Sequence, residues 1–175
     1  MALAALELAE EIFPVSEQAV RRGLETVHWP GRLEFMFDEP TVVLDGAHNV
    51  EGVKALVDEI GEFRRGRKVK LLFATMADKE WRLMLGALVK AVDEVTFTRV
   101  RMERSAHPEL LAEFTGDEIP HRVIGDSRLA LRALLDQARA DEIVLVAGSL
   151  YLLGEVRPML LEIAREKAER ARGKL

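Results

Sequence analysis

From residue 33 onward, apolar runs alternate with amphipathic segments along the chain. The apolar runs predict strands at 33–37, 41–45, 69–74, 94–99, 121–124 and 142–147. Amphipathic segments, in which apolar residues recur with a helical period, predict helices at 50–63, 79–91, 108–114, 127–139 and from 150 onward. Strands and helices that alternate in this way favour right-handed βαβ units.

The composition of the apolar runs predicts how the strands are arranged. Runs such as Val69–Ala74 and Ile143–Ala147 are continuously apolar, which is typical of parallel strands covered on both faces. The turn residues Asp38, Glu39 and Pro40 separate the first two strands and predict a hairpin. The predicted fold class is therefore α/β, with a Rossmann-like, mostly parallel sheet, an antiparallel edge strand and helices on both faces.

The first thirty residues follow a different pattern. Apolar and acidic positions predict an amphipathic helix over 3–12, and Ser16 begins a second helix that runs through Leu24, with Gly23 marking its end. A turn-rich connector at 28–32 then separates this part from the regular βα pattern. These residues are too few to form a core, and we expect them to be the end of a preceding unit.

Composition narrows the function classes. The chain has 175 residues, of which 49% are hydrophobic and 31% charged, as in a globular domain of ordinary size. A net charge of −5 argues against general nucleic-acid affinity, and there is neither a signal peptide nor an apolar run of about 20 residues. Without cysteine, disulfides, thiolate zinc sites and a cysteine nucleophile are excluded. We expect a cytoplasmic protein with neither nucleic acid nor membrane as its partner.

Polar residues collect where the predicted strands end. Because the carboxyl ends of parallel strands lie at one edge of a sheet, these residues predict a ligand site there. The densest group, Asp45-Gly46-Ala47-His48-Asn49, joins a buried strand to a helix start, where backbone N–H groups favour anions. The other groups lie at 75–79, 99–104, 125–127 and 148–151.

Each of these residues also has a structural interpretation. Asn49, Asp78 and Ser149 suit the N-cap position of the following helices, which would leave Lys79 an ordinary surface lysine. A lone histidine such as His48 is more often structural than catalytic. Asp45 ends an apolar strand, so its carboxylate needs a ligand hydroxyl, backbone amides or a cation as partner.

Several complete catalytic motifs are missing. The segment Gly61–Lys68 comes closest to a P-loop, but it lacks the hydroxyl and precedes a strand, so we interpret it as a basic loop. The sequence contains no dinucleotide-binding glycine motif after a strand, no nucleophile elbow and no paired-histidine zinc motif. The predicted edge therefore supplies half of a site. The basic stretch 165–174 is interpreted as a solvated tail.

Four blocks of residues resemble the C-terminal domain of folylpolyglutamate synthase/dihydrofolate synthase, within the Mur ligase superfamily. They are Trp29-Pro30-Gly31-Arg32-Leu33-Glu34, Asp45-Gly46-Ala47-His48-Asn49, Asp78-Lys79 and Gly148-Ser149-Leu150-Tyr151. The resemblance implies that residues 1–28 are the last helices of a central ATPase domain, 29–33 an interdomain linker and 34–175 the C-terminal domain. Val50 stands where the family usually has proline. Proline would fix the first φ angle of the following helix, so we expect valine to make this helix start less rigid without affecting the reaction.

The resemblance also implies an activity. Members of this family use ATP to convert a carboxylate of folate or dihydropteroate into an acyl phosphate, which the amino group of glutamate attacks to form an amide. The implied cofactors are ATP and Mg²⁺, with the Mg²⁺ ligands in the central ATPase domain. That N-terminal ATPase domain is the implied protein partner, so we expect no ligase activity from these 175 residues alone.

Individual roles follow from the matched positions. The resemblance assigns Arg32 to the ATP phosphates, Asp45 to the ribose, and His48 to the nucleotide as the catalytic residue of the motif. It assigns Lys79 and Ser149, with Asn49 beside them, to the glutamate substrate. Two alternatives remain open: a stand-alone α/β module that binds a nucleotide or amino acid, or a partner, without catalysis, and a domain of another Mur-type amino-acid ligase.

Overall fold

The computed structural model describes residues 2–172, without the side chain of Ala2, and divides the chain into two units at residues 30 and 31. The first unit contains two helices, α1 (Ala2–Ala9) and α2 (Glu17–Thr26). Helix α1 ends three residues before the predicted end, and in the turn that follows the amides of Ile12 and Phe13 both donate to the Ala9 carbonyl. Helix α2 continues past Gly23, so the prediction that it ends there is wrong.

The second unit contains a six-stranded sheet and five helices within the described residues. Its elements in chain order are β1 (Glu34–Asp38), β2 (Thr41–Leu44), α3 (Val50–Arg64), β3 (Val69–Phe73), α4 (Trp81–Leu88), β4 (Glu94–Arg99), α5 (Pro108–Thr115), β5 (His121–Asp126), α6 (Ser127–Gln137), β6 (Ile143–Ala147) and α7 (Leu150–Arg172). The strand order is β1-β2-β6-β3-β4-β5. All neighbours are parallel except β1 and β2, which pair antiparallel with an irregularity between Phe35 and Phe37. The predicted fold class is confirmed.

Two hydrophobic clusters cover the two faces of this sheet. Alternate residues of each central strand enter opposite clusters: Leu71 and Phe73 of β3 lie on one face, and Leu72 lies on the other. Helices α3, α4 and α5 pack on the first face, and α6 and α7 pack on the second. Because both faces are buried, the central strands consist almost entirely of apolar residues.

The strand order creates a crevice at the carboxyl edge of the sheet. Strand β6 is last in sequence but lies between β2 and β3. The chain leaves β2 and β3 toward helices on one face, and it leaves β6 toward α7 on the other face. The loops after these three adjacent strands therefore surround an opening, which is where open α/β sheets bind ligands.

Two further local predictions are wrong. Helix α4 begins at Trp81 after Glu80, so Asp78 does not cap it. Residues 61–64 belong to α3, and the predicted basic loop is shorter and well bonded: Arg64 donates to the Ala91 carbonyl and to Asp93, and Arg67 donates to Thr41.

The described part of the basic stretch near the end of the chain, residues 165–172, is exposed as predicted, and it forms the last two turns of α7. Helix α7 continues through Arg172, and the ammonium group of Lys167 lies 4.8 Å from the centre of the Phe37 ring. The same group donates to the Glu39 carbonyl. Lys174, the last residue of the predicted tail, lies outside the described residues. Within residues 2–172, no helix combines the length and apolar character that a bilayer crossing requires.

Candidate functional site

The loop after β2 is organised by the Asp45 carboxylate. Asp45 is 8% exposed, and its two carboxylate oxygens accept hydrogen bonds from the amides of Ala47, at 2.8 Å, and Leu33, at 3.0 Å. Of the three partners considered for this carboxylate, backbone amides are therefore present. Each oxygen retains a further lone pair, so a ligand hydroxyl can still bind.

The segment that carries Arg32 is fastened to this loop. The Gly31 carbonyl accepts a hydrogen bond from the Gly46 amide at 2.7 Å, and the Gly31 amide donates to the buried Glu34 carboxylate at 2.8 Å. Gly31 has a φ of +72°, and Leu33 has a φ of +42°. A methyl group added to Gly46 would lie 3.3 Å from Nη1 of Arg32, so the guanidinium lies over the loop after β2.

Arg32 and Asp45 line the same cavity, with a volume of about 320 Å³, which we call the Arg32 cavity. Its remaining lining comes mostly from the start and middle of α3: Leu33, Ala47, Gly52, Ala55, Leu56 and Glu59. An exposed guanidinium at the mouth and a carboxylate beside an apolar wall suit the phosphates and sugar of a nucleotide.

His48 has a defined hydrogen on one ring nitrogen. Its Nδ1 lies 2.8 Å from the Gly46 carbonyl oxygen, which can only accept, so Nδ1 carries the proton. The ring is half-buried, and its Nε2 is the nitrogen left for a ligand. His48 does not line the Arg32 cavity. It lines a second cavity of about 210 Å³ on the same edge of the sheet.

This second cavity, which we call the Lys79 cavity, brings together the loops after β2, β3, β4 and β6. Its lining residues are His48, Met76, Lys79, Arg104, Gly148, Ser149, Leu150 and Tyr151. Lys79 and Ser149, which the family resemblance assigned to one substrate, thus share a cavity. Among the described lining residues, two are permanent cations and none is an acid.

Arg104 was not singled out from the sequence, although it lies in the predicted edge segment 99–104. Its Nη1 lies 3.5 Å from a carboxylate oxygen of Asp78, and both side chains are more than half exposed. Such an exposed pair is weak, so the guanidinium can exchange Asp78 for a ligand carboxylate. An arginine on a loop gives no sequence signal by itself, because its proximity to Lys79 depends on how two loops pack.

The capping interpretations hold for two of the three candidate residues. Asn49 caps α3 by accepting the Gly52 amide at 2.7 Å, and Ser149 caps α7 by accepting the Tyr151 amide at 3.2 Å. Asn49 is exposed and is not among the lining residues of either cavity. Ser149 is 2% exposed and lines the Lys79 cavity, so its O–H can donate to a bound ligand.

The described acidic side chains provide no metal site. No group of three or more histidine, cysteine or carboxylate residues within the described part of the chain could hold a metal ion. The described residues therefore offer no complete protein site for Mg²⁺, an ion that proteins usually hold through one or two carboxylates together with phosphate oxygens.

Comparisons with known proteins agree with these observations. Residues 31–150 match the family described as "Mur ligase, glutamate ligase domain". The chain is 38% identical over 161 residues to a probable bifunctional folylpolyglutamate synthase/dihydropteroate synthase of Haloferax volcanii, covering 87% of this chain and 18% of that protein. It is 30% identical over 152 residues to the dihydrofolate synthase/folylpolyglutamate synthase of Bacillus subtilis, covering 86% of this chain and 35% of that enzyme.

Solved structures of similar proteins share the fold. FolC of Escherichia coli in complex with DHPP and ADP superposes with a TM-score of 0.84 at 28% identity, covering 91% of this chain and 37% of that one. A bifunctional folylpolyglutamate synthase/dihydrofolate synthase with Mn, AMPPNP and L-glutamate bound superposes with a TM-score of 0.83 at 30% identity, covering 91% and 38%. The chain thus spans little more than a third of these proteins. By its match over residues 31–150, this chain belongs to the glutamate ligase domain family of the Mur ligases.

Proposed function

We propose that this domain serves an ATP-dependent folate ligase, in which it presents glutamate for amide formation and completes the ATP site. The folate or dihydropteroate acceptor, ATP with its Mg²⁺ and an ATPase domain of the same enzyme would be its partners in the cytoplasm. Support comes from the family match and from folate-ligase relatives that are similar over most of this chain.

The observation that carries the proposal is the charge of the Lys79 cavity. Glutamate has two carboxylates, and the described lining offers two cations, Lys79 and Arg104, with the Ser149 hydroxyl between the β6 and α7 backbones. A guanidinium can bind one carboxylate through two parallel hydrogen bonds, and an ammonium can bind the other as a point charge. A volume of about 210 Å³ corresponds to roughly seven water molecules at about 30 Å³ each, which suits a small amino acid.

The two cations of the Lys79 cavity also favour the reactive form of the glutamate amino group. Amide formation requires the amino group of glutamate as a free amine, because an ammonium group has no lone pair. Nearby positive charges disfavour a further positive charge, so Lys79 and Arg104 lower the pKa of a bound amino group. No acid is among the described lining residues, and the Asp78 carboxylate, which pairs with Arg104, is the one that a glutamate carboxylate would replace.

The Arg32 cavity would hold the nucleotide. ATP supplies the phosphoryl group that activates the acceptor carboxylate. Arg32 would bind phosphate oxygens with its guanidinium, and Asp45 would accept a ribose hydroxyl with its free lone pairs. His48 lines the neighbouring cavity, and with the proton on Nδ1 its Nε2 would accept a hydrogen bond from a ligand there. We retain Asn49 as a substrate contact through its exposed amide N–H₂, since only its oxygen is used in the cap.

Exchange into a known enzyme tests this proposal. The matching part of the Bacillus subtilis dihydrofolate synthase/folylpolyglutamate synthase is replaced by residues 31–175 of this chain, and ATP-dependent incorporation of labelled glutamate into folate and dihydropteroate is measured. We expect amide formation that requires ATP and L-glutamate. The matched control is the same chimera with Lys79→Met and Arg104→Met.

Other outcomes of this exchange point to other functions. A relative named UDP-N-acetylmuramoyl-L-alanyl-D-glutamate–2,6-diaminopimelate ligase is 28% identical over 156 residues, so diaminopimelate is included as a competing amino acid. Preferential use of diaminopimelate would identify another Mur-type ligase. A folded chimera without amide formation, together with tight ATP binding by the 175-residue chain, would favour a binding module without catalysis.

A further inference from the structure

Glu155 lies on α7, and its carboxylate reaches the loop after β4. One carboxylate oxygen accepts a hydrogen bond from the Arg101 amide at 2.6 Å, and the other accepts a hydrogen bond from the Ser127 hydroxyl. The Glu155 backbone carbonyl also accepts Nε of Arg128 at 3.3 Å. This one residue therefore connects α7, the start of α6 and the loop 100–106.

The loop 100–106 is in turn joined to the loop that carries Lys79. Met76 and Ser105 form an isolated antiparallel bridge. The Ala77 amide donates to the Arg104 carbonyl at 2.8 Å, and the Ala106 amide donates to the Thr75 carbonyl at 2.9 Å. The loops bearing Lys79 and Arg104 consequently form one unit, which we call the paired loops (residues 75–79 and 100–106).

Within these described contacts, the Glu155 carboxylate is the side chain of α7 that bonds directly to the paired loops. Ser149 and Tyr151 line the Lys79 cavity from the beginning of the same helix, less than two turns before Glu155. Met76, Val100 and Met102 of the paired loops also lie in one hydrophobic cluster with Leu152, Leu153 and Val156 of α7. The bond from Glu155 to the Arg101 amide adds a directional contact to this packing, three residues from Arg104.

We infer that Glu155 is a positioning residue, which sets the paired loops against α7 and thereby fixes Arg104 opposite Ser149 for the amino-acid substrate. The inference rests on the proposed function for the identity of that substrate. Glu155 itself does not line the cavity and touches no part of it that would meet a ligand. A misplacement of about 1 Å at a binding group can reduce rates up to about 100-fold, so a remote carboxylate can affect the site strongly.

Glu155 can position the loop because its carboxylate gives the Arg101 amide an acceptor that is fixed in place, whereas a water molecule would be mobile. The Arg101 amide lies in a loop, and the ordinary partner of such an amide is solvent. A hydrogen bond to a charged acceptor is stronger than one between neutral groups. The Ser127 hydroxyl of α6 and the backbone of α7 hold the Glu155 carboxylate in place. The loop 100–106 is therefore bonded to a group that two helices keep fixed.

Hydrogen exchange and NMR titration of the 175-residue chain test the inference. The variants are Glu155→Ala, Glu155→Gln, and Glu162→Ala as a matched control on an exposed site of the same helix. Amide exchange is measured at Ala77 and Ala106, and the affinities for L-glutamate and AMPPNP are measured by chemical shifts. Urea unfolding shows whether each variant is still folded.

For Glu155→Ala we expect exchange at Ala77 and Ala106 to rise about tenfold, because local opening becomes easier. Glutamate affinity should fall about fivefold or more while AMPPNP affinity stays within about twofold, which a general loss of stability would not produce. Glu155→Gln should largely restore both, because its amide oxygen can accept the Arg101 N–H and its N–H₂ can donate to Ser127. If Glu155→Ala unfolds the second unit, amide exchange at Ala77 and Ala106 is measured in Glu155→Gln and Ser127→Ala instead. Both variants alter the bonds of the Glu155 carboxylate without removing the side chain of residue 155.

Two results would overturn the inference: unchanged exchange in the paired loops, or raised exchange with unchanged glutamate affinity. A chain that shows no glutamate-dependent shifts before any substitution would instead contradict the proposed function. In that case the exchange rates would still decide whether Glu155 holds the loop.

Discussion

At Gly148, backbone conformation and packing leave no room for a side chain. Its φ is +104°, and an added Cβ would lie 2.5 Å from both the Ala74 carbonyl oxygen and the Phe73 ring. The backbone of β6 can therefore approach β3 closely where the Lys79 cavity begins. Position 148 requires glycine for two reasons: a side chain would clash with β3, and the positive φ is unfavourable for other residues. The letter G in a sequence reveals neither reason.

We expect Gly148→Ala to lower the free energy of unfolding by about 2–4 kcal/mol, because both the clash and the positive φ are unfavourable. Gly154→Ala is the control: it lies in α7 with nothing within 4 Å of an added Cβ, and alanine favours helix by about 1 kcal/mol. Urea denaturation of both variants measures the difference. Equal stabilities would show that the loop can move away from β3 without cost.

Lys79 is a surface lysine whose role depends on the cavity it lines. We expect Lys79→Met to weaken L-glutamate binding about tenfold, since one of the two cations that face its carboxylates is lost. Lys90→Met removes the same charge from an exposed position just after α4 and should leave the affinity unchanged. NMR titrations of the three proteins measure both values. A similar loss in the two variants would mean that only the overall charge matters.

At the scale of elements, the hairpin β1–β2 is joined to α7 by a partly buried ion pair. Glu34 is 5% exposed and accepts hydrogen bonds from Nε and Nη2 of Arg157, the latter at 2.7 Å. The Glu34 hydrogen bond raises the pKa of Arg157, against the smaller opposing effect of burial. Because Glu34 also accepts the Gly31 amide, this pair supports the segment that carries Arg32.

Replacing Glu34 with Gln should therefore destabilise the domain and disturb Arg32. We expect a loss of about 1.5–3 kcal/mol, because the buried Glu34 carboxylate loses its charge-assisted hydrogen bonds while the partly exposed Arg157 keeps contact with water. Glu39→Gln, an exposed site in the same hairpin, should have little effect. Denaturant midpoints measure stability, and AMPPNP titration measures the effect on the Arg32 cavity. A neutral result for Glu34→Gln would show that solvent replaces the carboxylate.

Helix α6 begins with a cap that responds to pH. The pKa of Asp126 lies below its usual value of 3.8, chiefly because the Leu129 amide donates to it, with the Arg101 guanidinium second. A lowered pKa means that the carboxylate stabilises the fold above its unfolded pKa and loses this effect as pH falls through the folded pKa. Asparagine also caps helices, so Asp126→Asn removes the charge but retains the cap.

The free energy of unfolding of Asp126→Asn should lie below that of the unaltered chain at pH 7, and the difference should shrink as pH falls from about 5 towards 2. Urea titrations across this range measure it. Asp58→Asn, at an exposed site of α3, serves as the comparison and should show no such trend. A constant difference for Asp126→Asn would mean that the charge does not contribute.

For the whole molecule, net charge and local charge have opposite signs. The chain carries −5 overall, whereas the described lining of the Lys79 cavity has two cations and no acid. Concentrating positive groups at one edge of the sheet lets an acidic protein attract an anion. We expect glutamate affinity to fall several-fold between about 0.05 and 0.5 M NaCl, because salt screens these exposed cations. An affinity that does not depend on salt would argue against this.

The pattern of residues along the chain was enough to predict the sequence of strands and helices, the mostly parallel sheet with its hairpin edge, and the edge on which polar residues collect. Periodicity and apolar runs are local properties, so these features could be predicted without knowing any contact. Helix ends were predicted less well. Gly23 suggested the end of α2, but the helix continues to Thr26, and Asp78 suggested the start of α4, but that helix begins at Trp81.

Which of the polar residues meet depends on contacts between segments that are far apart in the chain. Lys79 and Arg104 are 25 positions apart, and they share a cavity because β3 and β4 are neighbours in the sheet and because Met76 pairs with Ser105. The same packing separates Arg32 and Asp45 in one cavity from His48 in the other. Strand order and side-chain direction arise from contacts between distant segments, and no local pattern along the chain contains that information.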